Sequence, residues 1–333
     1  MYKMTNIRDI FPKYFCILEE NRISQYIDCK NVKVSYNCNE TTPSLWKKHD
    51  SSLKKWNISD IEPETSLLDL KIELANRIFQ DCVFCERRCR VDRRKNFGNC
   101  KVKKAKINSE FLHIGEENIL VPSYTIFFSG CTFHCVFCQN WDISQNINGL
   151  YIEPEILAAA ISKRKSEGAR NVNWVGGDPT SNLPYILNVL KKCNVNIPQV
   201  WNSNMYCSNE TMNLLNGVID VFLTDFKFGN DNCAKRLSKV DNYTKVVKRN
   251  HILAYNQAEM IIRHLVMPNH IKCCSEPILQ WIEKNTPEAA VNVMAQYRPE
   301  YHAYDYEDIN RSLTTQEYFQ VKNFANQLEI HLI

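Results

Sequence analysis

Residues 124–138 read YTIFFSGCTFHCVFC, and this junction of an apolar run with a cysteine loop decides the fold class. The run is aromatic, β-branched or small, the composition of a buried strand, and Gly130 ends it. Similar runs recur at 171–175, 199–202, 219–224, 260–266 and 290–295. Helix-like stretches lie between or after them, near 153–167, 183–192, 208–216, 242–257, 275–284 and 314–327. The first of these is the best marked. Pro154 sits in its first turn, Ile156, Leu157, Ala160 and Ile161 share a face, and Gly168 ends it. Strands alternating with helices imply βαβ units on a parallel sheet. Six such units fall short of an eight-stranded barrel, so the expected architecture is an α/β partial (β/α)6 barrel, with a doubly wound sheet as the alternative. Either one gathers functional groups at the C-terminal ends of its strands.

The first strand end carries Cys131-x3-Cys135-x2-Cys138. Three thiolates so close on one loop grip a [4Fe-4S] cubane and satisfy three of its four irons, leaving the fourth for a chelating ligand. A four-cysteine ferredoxin site has no such vacancy. The rival is zinc, which wants four protein ligands and would need His134 as well. Phe137, just before the third cysteine, is placed to lie against a purine ring.

Cys-x3-Cys-x-aromatic-Cys resembles the signature of the radical S-adenosylmethionine (SAM) superfamily. The longer string at 130–142, GCTFHCVFCQNWD, looks like the branch related to pyruvate formate-lyase activating enzymes. The resemblance covers roughly residues 70–300 and extends to VGGDPT at 175–180, DFK at 225–227, RHLVMP at 263–268 and QYRP at 296–299. It implies a partial (β/α)6 barrel with SAM across the strand ends and a cluster on Cys131, Cys135 and Cys138. The implied chemistry is one-electron cleavage of SAM to a 5′-deoxyadenosyl radical, which takes a hydrogen atom from a macromolecular substrate. A glycyl radical enzyme is the first expectation for that substrate, another protein or an RNA the second. The electron would come from a flavodoxin or ferredoxin type donor.

Further strand ends supply candidate SAM-binding residues. Gly176-Gly177 bares backbone toward the ligand, and Asp178 stands where the family usually has Glu, which fits a turn-ordering role. Asn202 and Ser203 offer hydrogen bonds, without the negative charge that relatives carry there. Asp225 and Lys227 share a strand face by alternation. Arg263 sits in an apolar run and needs an anionic partner, either the SAM carboxylate or a buried Asp. Gln296 and Tyr297 follow the sixth strand.

A second group, Cys82-x2-Cys85-x3-Cys89-x10-Cys100, offers four soft ligands. These suit structural zinc or an auxiliary [4Fe-4S] cluster equally. Arg87, Arg88, Arg90, Arg93, Arg94 and Lys95, with Lys101, Lys103, Lys104 and Lys106, surround it. They read as a solvated face that also neutralises thiolates, or as a collar for RNA phosphates. Ser66 is the expected N-cap of a helix over 66–81 that leads into this group. The chain divides into an N-terminal extension (1–66), a helix with the four-cysteine segment (67–121) and the barrel (122–333).

The 333 residues suffice for a sizeable core, and a net charge of +4 selects no partner. Fifteen cysteines, grouped within a long Lys-rich chain, fit metal ligation in a reducing compartment better than a disulfide scaffold. The eight outside the two groups read as small buried hydrophobes. Met1–Phe11 is too polar for a signal peptide, and no run approaches the ~18 apolar residues of a membrane span. A cytoplasmic protein with no membrane partner is expected. Two other classes, a non-catalytic iron–sulfur carrier and a zinc-based nucleic-acid module, leave the polar strand ends without a purpose.

Overall fold

A computed structural model describes residues 6–59 and 63–333; the first part of the Met1–Phe11 stretch lies outside the described residues. The N-terminal segment forms α1 (Ile7–Ile10), α2 (Pro12–Leu18), α3 (Gln25–Asn31) and α4 (Thr42–Lys55), followed by α5 (Leu67–Gln80). Ser66 caps α5 as its sequence implies. Its hydroxyl accepts from the Asp69 amide, and the Asp69 carboxylate accepts from the Ser66 amide, a reciprocal box. After the four-cysteine segment come β1 (Ile107–His113), β2 (Ser123–Phe128), α6 (Trp141–Ser144), α7 (Pro154–Ser166) and β3 (Asn171–Gly176). Then follow α8 (Leu183–Lys192), β4 (Gln199–Ser203), α9 (Asn209–Leu215), β5 (Val221–Asp225), α10 (Asp231–Ser238), α11 (Tyr243–Gln257) and β6 (Glu259–Leu265). A π-helical turn (Ile271–Ser275), α12 (Glu276–Asn285), β7 (Ala290–Met294), α13 (Thr315–Ala325) and β8 (His331–Leu332) complete the chain.

All six expected strands are present. The sequence did not signal β1, which pairs antiparallel with β2, nor the two-residue β8, which extends the parallel sheet. Strand order follows chain order from β1 to β8. A doubly wound sheet would reverse direction at a switch point, so that alternative is excluded. The β1–β2 loop shows that the sheet curls. Glu116 accepts from Asn173 on β3 at 3.1 Å, and its neighbour Glu117 from Asn292 on β7 at 3.0 Å. In a flat sheet those strands would stand about 19 Å apart at ~4.8 Å per step. The first and last strands are not paired with each other, so the sheet is an open, partial barrel.

The floor of the barrel comes from the N-terminal segment. Phe11 and Tyr14 pack with inward-facing Val200, Val221, Leu223, Ile261 and Ala290. The Glu259 carboxylate accepts from the Lys13 and Tyr14 amides at 2.6 and 2.8 Å, at the start of α2. A larger core outside the strands runs from Tyr26 to Ala325. Residues 6–59 are therefore built into the barrel's floor and flank. No helix among the described residues is long and apolar enough to cross a membrane.

Candidate active site

The top of the barrel is opened by a local splay. Between β3 and β4 the register runs only from Val172↔Gln199 to Trp174↔Trp201, whereas β2 and β3 stay paired out to Phe128↔Gly176. The strand ends beyond Trp174 and Trp201 diverge around a cavity of about 260 Å³. Val175, Gly176 and Gly177 line one wall and Asn202, Ser203 and Asn204 the other. Cys131, Cys135, Phe137 and Cys138 close one end, and Asp225, Lys227, Arg263 and Gln296 are reached from the remaining strands. Of the expected ligand-binding residues only Asp178 and Tyr297 are outside this lining.

Glycine is required at the β3 end for close packing. Gly176 has φ +128°, and a Cβ there would land on the backbone of Phe128; at Gly177 it would land on the Gly130 carbonyl. The pair thus lets β3 pass against the cysteine loop as well as exposing backbone to the cavity. Asp178 faces away from the cavity and ties the two splayed strands together. Its carboxylate accepts from the Thr180 amide at 3.0 Å, Ser203 Oγ at 2.9 Å and the Asn204 amide at 3.1 Å. Burial pushes the carboxyl up against these hydrogen bonds. Asp178→Ala should cost ~2 kcal/mol of stability and weaken SAM binding about tenfold or more, read by denaturation and titration calorimetry.

The three loop cysteines sit among donors suited to thiolates. Cys131 Sγ accepts from the Phe133 amide at 3.3 Å and Asn204 Nδ2 at 3.7 Å. Cys135 Sγ lies 2.9 Å from Ser238 Oγ, and Cys138 Sγ 3.2 Å from Ser144 Oγ. Such contacts orient a cluster's ligands and tune it. Ser144, Asn204 and Ser238 carry no motif, and only the folded contacts reveal them. Burial pushes all three thiols up, Cys135 to about 12; Cys131 is raised further by Cys135 and Cys138, and Cys135 by Cys138. Three such closely set sulfurs of like charge are stable as thiolates only around a positive centre, so the donor set fits the iron–sulfur cubane. His134 is no ligand, because its ring nitrogens meet Gln145 Oε1 at 2.6 Å and Asn99 Oδ1 at 2.7 Å.

Arg263 finds its anionic partners within the protein. It lies 2.9 Å from Asp225 and 3.4 Å from Glu116, and donates to Asn202 Oδ1 at 2.5 Å. Lys227 bonds the other Asp225 oxygen at 2.6 Å. Burial alone would raise Asp225, but Arg263 and Lys227 hold its carboxyl below the usual range. Burial would likewise lower Lys227, yet Asp225 and the Cys135 sulfur keep it up. The charges that were candidates for SAM form a continuous network across the cavity floor. Phe137 packs between Phe228 and Tyr297, with ring centroids 6.1 and 6.0 Å away, and Tyr297 donates to the Ile309 carbonyl at 2.6 Å.

The four-cysteine segment presses on the cysteine loop. A Cβ at Gly130 would strike Val102 and the Cys100 carbonyl, and Arg87 donates to the Thr132 carbonyl at 2.7 Å. Cys82 and Cys85 are raised by burial first and, to a smaller degree, by the neighbouring thiols of Cys89 and Cys100. Several arginines of the basic collar are paired with carboxylates, and two of them, Arg90 and Arg94, remain exposed. Arg88 forks onto Glu210 at 3.1 Å, Arg94 onto Asp92 at 2.9 and 2.8 Å, and Arg90 meets Asp81. Arg93 is buried and donates to the carbonyls of Val102 and Ser181. Of the eight cysteines read as buried hydrophobes, Cys29, Cys193 and Cys207 are buried as expected. Cys233, Cys273 and Cys274 instead converge on His270.

Comparison with known proteins bears on this geometry. The chain is 48% identical over 333 residues to the Methanocaldococcus jannaschii protein named "Uncharacterized protein MJ0674", covering 96% of this chain and 98% of that one. Streptococcus suis SuiB bound to S-adenosylmethionine aligns with a TM-score of 0.45 and 12% identity, over 61% of this chain and about half (47%) of SuiB. Methylornithine synthase (PylB) aligns with a TM-score of 0.45 and 13% identity, over 96% of this chain and 77% of its own. Residues 125–282, from within β2 to within α12, match the Radical SAM superfamily model. The chain carries a radical SAM superfamily domain over those residues, and it belongs to one family with the M. jannaschii protein.

Proposed function

We propose that this chain is a radical SAM enzyme whose substrate is a segment of another protein. The observation that carries the reading is the splayed cavity, with three thiols at one end and a glycine strand edge along one wall. Bound together, the cluster and SAM supply a 5′-deoxyadenosyl radical by one-electron cleavage of the C5′–S bond. The protein's own part is positional. Gly176 and Gly177 bare backbone for the methionyl group, Asn202 and Ser203 border the cavity opposite, and the Asp225–Lys227–Arg263 network fixes the floor. A radical SAM domain implies SAM cleavage.

Two features support a peptide segment. Past Arg263, Met294 and Gln296 the cleft continues into a second cavity of about 860 Å³, bordered by Glu116, Glu117, Asn118 and Asn292. Asn118, Asn292 and Gln296 are side chains able to bond peptide groups. The collar arginines, neutralised by carboxylates at Arg88, Arg90 and Arg94 and buried at Arg93, leave less free positive charge for RNA phosphates, so a protein is favoured over RNA. A glycine Cα–H of a glycyl radical enzyme, as the likeness of residues 130–142 to activating enzymes implies, is the first case to try, with reduced flavodoxin or ferredoxin as donor. The test is anaerobic incubation with SAM and dithionite, reading 5′-deoxyadenosine by chromatography. Its formation in step with enzyme supports the reading. A reconstituted cluster that yields none overturns it.

A further inference from the structure

Outside the cavity, four metal-ligating side chains meet on the connections that follow β5 and β6. The ligand atoms of Cys233, His270, Cys273 and Cys274 all lie within 4.8 Å of one another. Cys233 Sγ and Cys274 Sγ stand 4.0 and 3.9 Å from Cys273 Sγ. His270 Nδ1 faces the three sulfurs at 3.6, 3.3 and 3.8 Å. A single zinc ion with Zn–S of about 2.3 Å and Zn–N of about 2.0 Å sets tetrahedral edges of about 3.8 Å between sulfurs and about 3.5 Å from sulfur to nitrogen. The observed edges match that figure. A cubane would bind each sulfur to a different iron and hold them further apart. We propose that Cys233, His270, Cys273 and Cys274 bind one zinc ion, in a structural site with no open position.

The surroundings are those of a built site. The other imidazole nitrogen, Nε2, meets Asp308 at 2.9 Å, and Asp308 is held in turn by Arg236. A carboxylate on the far nitrogen fixes the ring and its tautomer, so that Nδ1 keeps its lone pair for metal. Asn230 Nδ2 donates to Cys233 Sγ at 3.3 Å and to the Cys273 carbonyl at 2.9 Å. The π-helical turn accepts both the Cys274 and Ser275 amides on the His270 carbonyl, which brings two adjacent cysteines round to one imidazole. Gly229 lets the two connections touch, since a Cβ there would lie 2.6 Å from the Cys273 carbonyl oxygen and 2.8 Å from Cys274 Cα.

The position gives the ion a task. It clamps the start of α10, and the end of that helix supports the cysteine loop of the active site. Ser238 meets Cys135 Sγ at 2.9 Å, and the carbonyls of Ser238 and Leu237 accept from the His134 and Val136 amides at 3.1 and 2.9 Å. Zinc at one end of an eight-residue helix thus steadies the thiolate at the other.

The test is zinc and iron content of the full chain, purified anaerobically without added metal, as wild type and as Cys273→Ser and His270→Gln. Because each variant is compared with the wild type, zinc at Cys82–Cys100 cancels. Loss of about one zinc per chain in both variants is the expected result. Unchanged zinc, or loss of iron without zinc, overturns the proposal. Wild-type protein gives an independent readout by iodoacetamide labelling and peptide mapping. Cys233 and Cys273 should resist labelling until a chelator removes one zinc, and then react. Labelling before chelation, or a Cys233–Cys273 disulfide in reduced material, overturns it. Neither readout depends on SAM cleavage, so failure here leaves the proposed function standing.

Discussion

Cys135→Ala is expected to remove about four irons per chain and to reduce 5′-deoxyadenosine formation to the level without enzyme. The size of the effect follows from geometry. Cys135 is 7% exposed, its sulfur is bonded to Ser238, and it stands beside Lys227 in the cavity. Two thiolates cannot replace the third, because a water that took its place would find little room in so buried a position. Iron and sulfide analysis with anaerobic absorption spectra reads the loss directly. An iron content unchanged from the wild type would remove the cluster assignment and the SAM chemistry with it. Ser238→Ala should act in the same direction but weakly, keeping the iron and shifting the cluster's reduction potential, since it removes one hydrogen bond to sulfur.

Arg263→Met should destabilise the fold by ~3–5 kcal/mol, the cost of leaving buried carboxylates without their cation. Asp225 would keep Lys227, but Glu116, whose side chain is 9% exposed, would lose its arginine altogether. Denaturant midpoints measure the loss, and Glu116→Gln in the same chain should recover part of it. The pH dependence has a definite sign. Asp225 has a folded pKa held below its ordinary value, so its stabilisation is complete above the unfolded value of about 3.9 and is lost as pH falls through the folded one. The gap between wild type and Arg263→Met should therefore narrow in acid. A gap that is constant with pH, or below ~1 kcal/mol, would show that the network is not held by charge.

The barrel was legible because each strand is a short apolar run bounded by turn residues and most of its helices have a cap or a proline at their start. The thiol loop was legible because its three ligands are close in the chain. What the sequence did not show lies between distant residues. Cys233 and the pair Cys273-Cys274 are about forty residues apart, with no spacing that marks a common site, and each alone has the composition of a buried apolar position. Arg263 signals its need for an anion but not its choice, since Glu116 reaches it from a loop 147 residues upstream. β1 escaped notice because INSEFLH has charged and polar residues on an edge strand, where solvent takes the place of a partner. The N-terminal helices were opaque for a related reason. Their apolar residues are few, and their meaning comes only from the strand ends they cover.

That cover has a consequence for biogenesis. Lys13 and Tyr14 leave the ribosome before the carboxylate that anchors them, Glu259, which lies 246 and 245 positions later. Closing so long a loop carries an entropy cost of about 5 kcal/mol beyond the constant for any closure, and contacts of such separation slow folding. Until Glu259 and Ala290 have been translated, Phe11 and Tyr14 have no seat, and a nascent chain must carry these apolar side chains exposed.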